Sequence, residues 1–298
     1  MFEPTASPRA LLFCFPGGGT TRAYFDLDVP GRSFARALAA RGFAVAAIDS
    51  LGWGGSARPR DGFALLPWAI ARGNALAVEA LVRERGPDGA HLPRIGVGHS
   101  LGALLAIVQQ AEHETFDALV LLGVGGRGVR QVLTADELGY VDRPDAVRRD
   151  LVALARARSG GEAWSEAPRA KRAAEVLGPM PDAAAHAAMR AVRCAIPSVA
   201  SLFSLIPGSS RPFFERVRVP VFLGLGERDI AGPPHEVVAS FPASADVCLH
   251  VMPGAGHAHF AFPGCVPLFD RVAHWLAGPA VRESFAARAR AGAPPAVD

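Results

Sequence analysis

The chain has 298 residues, a length that suits one large α/β domain or a core with an insertion better than two independent domains. Half of its residues are hydrophobic and 20% are charged, which excludes global disorder. The net charge is only +3, Lys171 is the sole lysine, and no basic stripe interleaved with aromatics appears, so nucleic acid is not an expected partner. No apolar run reaches the ~20 residues of a membrane-spanning helix. The start, Met1 to Pro8, lacks the basic and apolar regions of a signal peptide. Cys14, Cys194, Cys248 and Cys265 are widely spaced without a Cys-x-x-Cys, which indicates neither a zinc ribbon nor a disulfide framework. The expectation is a cytoplasmic globular protein.

Taken in chain order, short apolar runs alternate with helical periodicity, the pattern of a parallel sheet with crossover helices. Residues 10–15 read as a strand ending in Pro16-Gly17-Gly18-Gly19. Residues 33–41 have helical spacing and stop at Gly42, a plausible C′ glycine. A second strand at 43–48 runs into a glycine-rich loop, Leu51 to Ser56, and a helix follows over 66–85. Residues 94–98 form a short strand, 101–112 a helix and 118–123 another strand. These runs are continuously apolar, as strands covered on both faces are.

The character changes at about residue 126. From there to 211 no strand is evident, and helical stretches are expected near 145–159, 167–177 and 182–206, interrupted by Pro and Gly. This segment reads as an inserted helical lid. It also holds the charge imbalance: 13 Lys/Arg face nine Asp/Glu within 127–211, against 18 and 19 elsewhere. Strand character returns at 219–224 and 245–252, a helix closes the core at 265–277, and the tail beyond residue 278 is expected to fray. The boundaries are therefore 1–126 and 212–278 for the core, 127–211 for the lid and 279–298 for the tail. The fold class is α/β, with a doubly wound, mostly parallel sheet of about six or more strands.

Four motifs carry chemistry. Gly98-His99-Ser100-Leu101-Gly102 lies between a strand and a helix. Small residues two positions either side of the serine permit a tight turn, which thrusts the hydroxyl out at the sheet edge above a helix N-terminus. Phe15-Pro16-Gly17-Gly18-Gly19-Thr20 leaves backbone N–H groups unobstructed, and no lysine stands where a phosphate-binding P-loop needs one. Oxyanion donors are expected from the N–H groups of Gly18 and Leu101. Asp229, in Leu223-Gly224-Leu225-Gly226-Glu227-Arg228-Asp229, is the carboxylate that orients a histidine, with Glu227 as its competitor. In Gly254-Ala255-Gly256-His257-Ala258-His259, His257 is the expected general base and His259 the alternative. His99 reads as a pocket or packing residue. A His-x-His pair without a further ligand cluster does not indicate a metal site.

The order Ser100, Asp229, His257, with the turn at Ser100, the glycine loop and Asp49-Ser50-Leu51-Gly52-Trp53-Gly54-Gly55-Ser56, resembles the α/β-hydrolase fold superfamily over roughly residues 10–126 and 212–278. Members commonly carry a helical cap where the inserted segment falls. Only about ten residues precede the first expected strand, so the usual N-terminal β-hairpin is missing or very short. Leu12 to Pro16 with Gly98 to Leu105 also resembles type II thioesterases, whereas the loop after Asp49 looks more like capped ester hydrolases. The resemblance implies two-step acyl transfer without organic cofactor or metal, on a small-molecule ester or thioester. A serine at the elbow argues against epoxide hydrolases and haloalkane dehalogenases, which use a carboxylate there. Carboxylic ester hydrolysis is the first expectation. Thioester hydrolysis, C–C bond or lactone hydrolysis and non-catalytic ligand binding on the same fold are the alternatives. Leu202, Phe203 and Ile206, in an unusually apolar part of the inserted segment, are expected either to line a hydrophobic pocket or to pack the lid on the core. An oligomer is compatible with the sequence.

Overall fold

The computed structural model describes residues 1–165 and 180–291. Six of the apolar runs become strands of one sheet: β1 (Leu11–Phe15), β2 (Ala44–Ala47), β3 (Arg94–His99), β4 (Ala118–Leu122), β7 (Val221–Gly226) and β8 (Val247–Met252), in the order β2-β1-β3-β4-β7-β8. Every pairing within it is parallel. β1, β4 and β7 are buried along their whole length, while β8, at the edge, is half-buried for five of its six residues.

Alternation across the pleat divides the apolar side chains between two cores. Leu11, Phe13, Phe15, Leu119, Leu121 and Leu223 join the helices Pro67–Glu84 and Leu101–His113 on one face. Leu12, Cys14, Val97, Val120 and Phe222 join Phe34–Ala39 and Cys265–Leu276 on the other. β1 lies between β2 and β3, so the winding reverses there and the loops that follow β1 and β3 diverge to opposite faces. That switch point at the carboxyl ends of the strands is where open α/β sheets bind ligands. Ahead of β1, Phe2 forms one antiparallel bridge with Val45 of β2.

Between β4 and β7 run the helices Ala135–Leu138, Pro144–Ser159, Ala183–Ala191, Ser198–Leu205 and Arg211–Phe214. The expected helix at 167–177 lies outside the described residues. The stretch 182–206 is divided by Pro197 and by a two-residue antiparallel pair, β5 (Trp164–Ser165) with β6 (Ile196–Pro197). That pair corrects the strand-free reading of the segment: two residues are too few to show a period. The basic side chains here are not simply turned to solvent. Arg148 lies over the Trp68 ring at 4.4 Å and Arg156 over Phe63 at 3.9 Å, so cation–π contacts join the helix Pro144–Ser159 to the core. Arg158 ion-pairs with Glu137, whose side chain is 3% exposed and also closes a capping box with Thr134.

The tail departs from expectation as well. Residues Pro279–Ala291 are helical, Val281 is buried, the Asp117 carboxylate ion-pairs with Arg288, and the Asp117 carbonyl accepts from Ser284. All four cysteines are free. Among the described residues no helix is long and apolar enough to cross a membrane.

Leu121 is fully buried at the sheet centre, between Gly98 and Leu223. Leu121→Ala is expected to cost about 2–5 kcal/mol, measured as a lower urea midpoint at constant m. An unchanged midpoint would contradict this packing.

Candidate active site

The turn between β3 and the helix Leu101–His113 is closed by steric necessity. A Cβ on Gly98 would stand 2.3 Å from the Ala103 Cα, and one on Gly102 only 2.2 Å from the Phe15 carbonyl oxygen. Both contacts are with backbone, so neither neighbour can yield cheaply. Ser100, between them, has φ +52° and ψ −120°, a conformation that costs on the order of 1–3 kcal/mol outside glycine. Its N–H donates to the Leu122 carbonyl at 2.7 Å, which ties the strained residue to β4. Leu101, next in the chain, opens the helix, so its N–H has no intrahelical acceptor.

Asp229 and His257 come from the loops after β7 and β8. Gly226 permits their approach, since a Cβ there would meet the Ala255 carbonyl at 2.5 Å. His257 Nε2 lies 2.8 Å from Ser100 Oγ, and His257 Nδ1 lies 2.7 Å from Asp229 Oδ1. The Asp229 side chain is fully buried. Burial opposes its ionisation, but the rings of His257 and His259 set against its two oxygens outweigh burial and hold the carboxyl well below the usual carboxylate range. Ala231 N–H also donates to Oδ1. Glu227, the competing carboxylate, instead accepts the Gly254 N–H on the surface.

The other two histidines are buried beside this chain. His99 Nε2 donates to the His257 carbonyl at 2.8 Å, and its ring packs 4.5 Å from Tyr24. Burial foremost, then the crowding of the His257 and His259 rings, pushes its imidazole well below the ordinary histidine range. His99 is therefore neutral, with Nε2 as its donor. His259, the alternative base, points its Nε2 at Asp229 Oδ2 (2.9 Å) rather than at Ser100.

Gly18 faces Leu101: a Cβ on it would lie 3.5 Å from Leu101 Cδ2 and 3.3 Å from Ile196 Cδ1. The inserted segment thus reaches the glycine loop. Cys194 N–H donates to the Gly19 carbonyl, Thr21 N–H donates to the Val192 carbonyl, and Thr20 and Arg193 form an antiparallel bridge. Leu202, Phe203 and Ile206 are 0, 2 and 1% exposed in the same apolar cluster as Leu101 and Leu104. Ile196, which sequence reasoning did not single out, is the apolar side chain set against Gly18. A cleft of about 1140 Å³ opens beside the Asp229 loop, edged by Gly126, Arg130, Arg211 and Ile230, and Ser100 and His257 are not among its walls.

With this geometry in hand, the profile of the Alpha/beta hydrolase family matches residues 11–264. The chain belongs to the alpha/beta hydrolase family. Its fold is similar to that of a thermophilic esterase from Thermogutta terrifontis, 16% identical, with 91% of each chain covered and a TM-score of 0.60. A monoacylglycerol lipase from Paleococcus ferrophilus is 17% identical, covering 91% of this chain and 95% of its own, with a TM-score of 0.58. An enol-lactonase from Burkholderia xenovorans is 18% identical, covering 92% of both, with a TM-score of 0.58. No curated protein matches. Within this alpha/beta hydrolase the two loop histidines share one carboxylate, an arrangement that the His-x-His spacing left open because it does not say where either ring turns.

Two measurements check this geometry. Gly98→Ala and Gly102→Ala are each expected to destabilise the protein by about 1–3 kcal/mol or more, because backbone must move; wild-type melting temperatures for both would contradict the close approach. The His99 pKa is depressed in the folded state, so the unfolded chain takes up a proton that the folded chain refuses. Stability is then full above the ordinary histidine pKa of ~6.5 and falls below it, by up to about 1.4 kcal/mol per pH unit for this one group. His99→Gln, which can keep the donor to the His257 carbonyl, is expected to flatten that slope between pH 6.5 and 5 in urea unfolding. An unaltered slope would contradict a neutral buried His99.

Proposed function

We propose that the protein is a serine hydrolase that cleaves a carboxylic ester through an acyl-enzyme on Ser100. The observation that carries this reading is the continuous chain Ser100 Oγ, His257 Nε2, His257 Nδ1, Asp229 Oδ1, with links of 2.8 and 2.7 Å. A serine hydroxyl is a weak nucleophile until a base can take its proton. Ser100 Oγ attacks the ester carbonyl carbon while His257 Nε2 takes the hydroxyl proton. Asp229 holds the ring by Nδ1–H and stabilises the imidazolium that forms. The carbonyl oxygen, now an oxyanion, accepts from the N–H groups of Gly18 and Leu101, at the positive end of the helix Leu101–His113. Collapse expels the alkoxide, which takes the proton from Nε2. Water then attacks the acyl-serine by the same route and frees the acid.

Residues 127–211 act as a lid over this site. The hydrogen bonds between residues 192–194 and the glycine loop support that role, since they tie the inserted segment to the backbone that receives the oxyanion. Ile196 and Leu101 beside Gly18 favour a substrate with a hydrophobic acyl or alcohol group. Leu202, Phe203 and Ile206 hold the helix Ser198–Leu205 on the apolar core beneath and do not contact the substrate directly.

Ser100→Ala is expected to abolish labelling by a fluorophosphonate and to lower p-nitrophenyl ester turnover by about 10³-fold or more. Labelling that survives the substitution would defeat the reading. Matched esters and thioesters, compared by kcat/KM, identify the preferred bond; the proposal requires the ester to be the better substrate.

A further inference from the structure

Asp229 holds more hydrogen-bond donors than a single orienting contact requires. Oδ1 accepts from His257 and from Ala231 N–H, while Oδ2 lies 2.9 Å from His259 Nε2 and 3.4 Å from Gly226 N. His259 is fully buried, and its second ring nitrogen, Nδ1, has no hydrogen-bond partner among the described residues. These facts decide its protonation. A proton on Nδ1 would be a buried donor without an acceptor, and with that tautomer the Nε2 lone pair would face a carboxylate oxygen at 2.9 Å. A doubly protonated ring would strand the same Nδ1–H. The neutral ring with its proton on Nε2 satisfies the carboxylate and leaves only a lone pair unpaired. Gly226 N–H points between Nε2 (3.1 Å) and Oδ2 (3.4 Å), and once Nε2 carries the proton only Oδ2 can accept from it.

We propose that His259 is a positioning residue whose Nε2–H clamps the second oxygen of Asp229, so that the first stays aimed at His257 Nδ1. The inference rests on the reading of Ser100, His257 and Asp229 as the reacting set. Without His259, the donor left at Oδ2 among the described residues is Gly226 N–H at 3.4 Å, too long to fix the plane of the carboxylate. With it, His257 is held from two sides, its backbone carbonyl by His99 and its ring, through Asp229, by His259.

The test uses the full chain with His259→Gln, His259→Asn and His259→Leu. Gln carries its amide nitrogen to about the place of Nε2; Asn has the same chemistry but falls short by one methylene. The readouts are the rate of fluorophosphonate labelling of Ser100 and the kcat and KM for a p-nitrophenyl ester. Gln is expected to stay within about threefold of wild type, while Asn and Leu lose about tenfold to a hundredfold in labelling rate and kcat with KM little changed. Equal rates for Asn and Gln, or a Gln variant as slow as Leu, would overturn the proposal. The tautomer offers a second measurement that no folding defect can obscure: imidazole ¹⁵N NMR of the wild-type protein is expected to show His259 neutral and protonated on Nε2, and a proton on Nδ1 would overturn the clamp. Labelling that persists in Ser100→Ala would overturn the underlying assignment of the reacting set, and the clamp with it.

Discussion

At residues 98–102 the chain passes from strand to helix with no room for a side chain on either flank. Gly98 and Gly102 press against the backbone of Ala103 and Phe15, and that contact forces Ser100 into a positive φ. Much of the site follows from this one steric constraint. It raises the hydroxyl above the sheet edge, brings the start of the helix Leu101–His113 beneath it, and sets that helix directly against the end of β1, where the glycine loop begins. The order β2-β1-β3 makes the same contact possible, because β1 and β3 are neighbours and their carboxyl ends open side by side. The strain is stored locally and repaid by two cores that bury the strands from both faces.

Electrostatics completes what the steric turn begins. A dry carboxylate is costly unless its oxygens are satisfied, and Asp229 meets that cost with two ring nitrogens and two backbone N–H groups. Three histidines crowd the same space: burial holds His99 neutral, and the Asp229 carboxylate accepts from the rings of the other two. The inserted segment uses its surplus arginines differently. Arg148 and Arg156 stack on core aromatics and Arg158 neutralises the buried Glu137, so its basic composition serves docking and internal pairing as well as solvation.

Much of this was legible in the residues themselves. Continuous apolar runs located all six sheet strands to within a few positions, because strands covered on both faces cannot alternate. The G-x-S-x-G turn, the glycine loop and the two late loops named Ser100, Asp229 and His257, and the geometry brings those three side chains together. What stayed hidden depends on contacts far apart in the chain. The bonds of residues 192–196 to the glycine loop arise from two-residue strands with no period to detect, so Ile196 was passed over for Leu202, Phe203 and Ile206, whose stronger apolar run marks packing. The helix Pro279–Ala291 is not evident from its polar composition because a few anchors hold it, the buried Val281 and, at Asp117 beside β4, Ser284 and Arg288. Nor could spacing say that His259 turns toward the same carboxylate as His257.

The central claim is that Ser100 carries the acyl group between two half-reactions. Acid quenching during turnover of a p-nitrophenyl ester, followed by intact-mass analysis and peptide mapping, tests it most directly. The predicted result is a mass increase equal to the acyl group, confined to the peptide that contains Ser100. Steady turnover with no adduct at any time point, or an adduct on another residue, would contradict it.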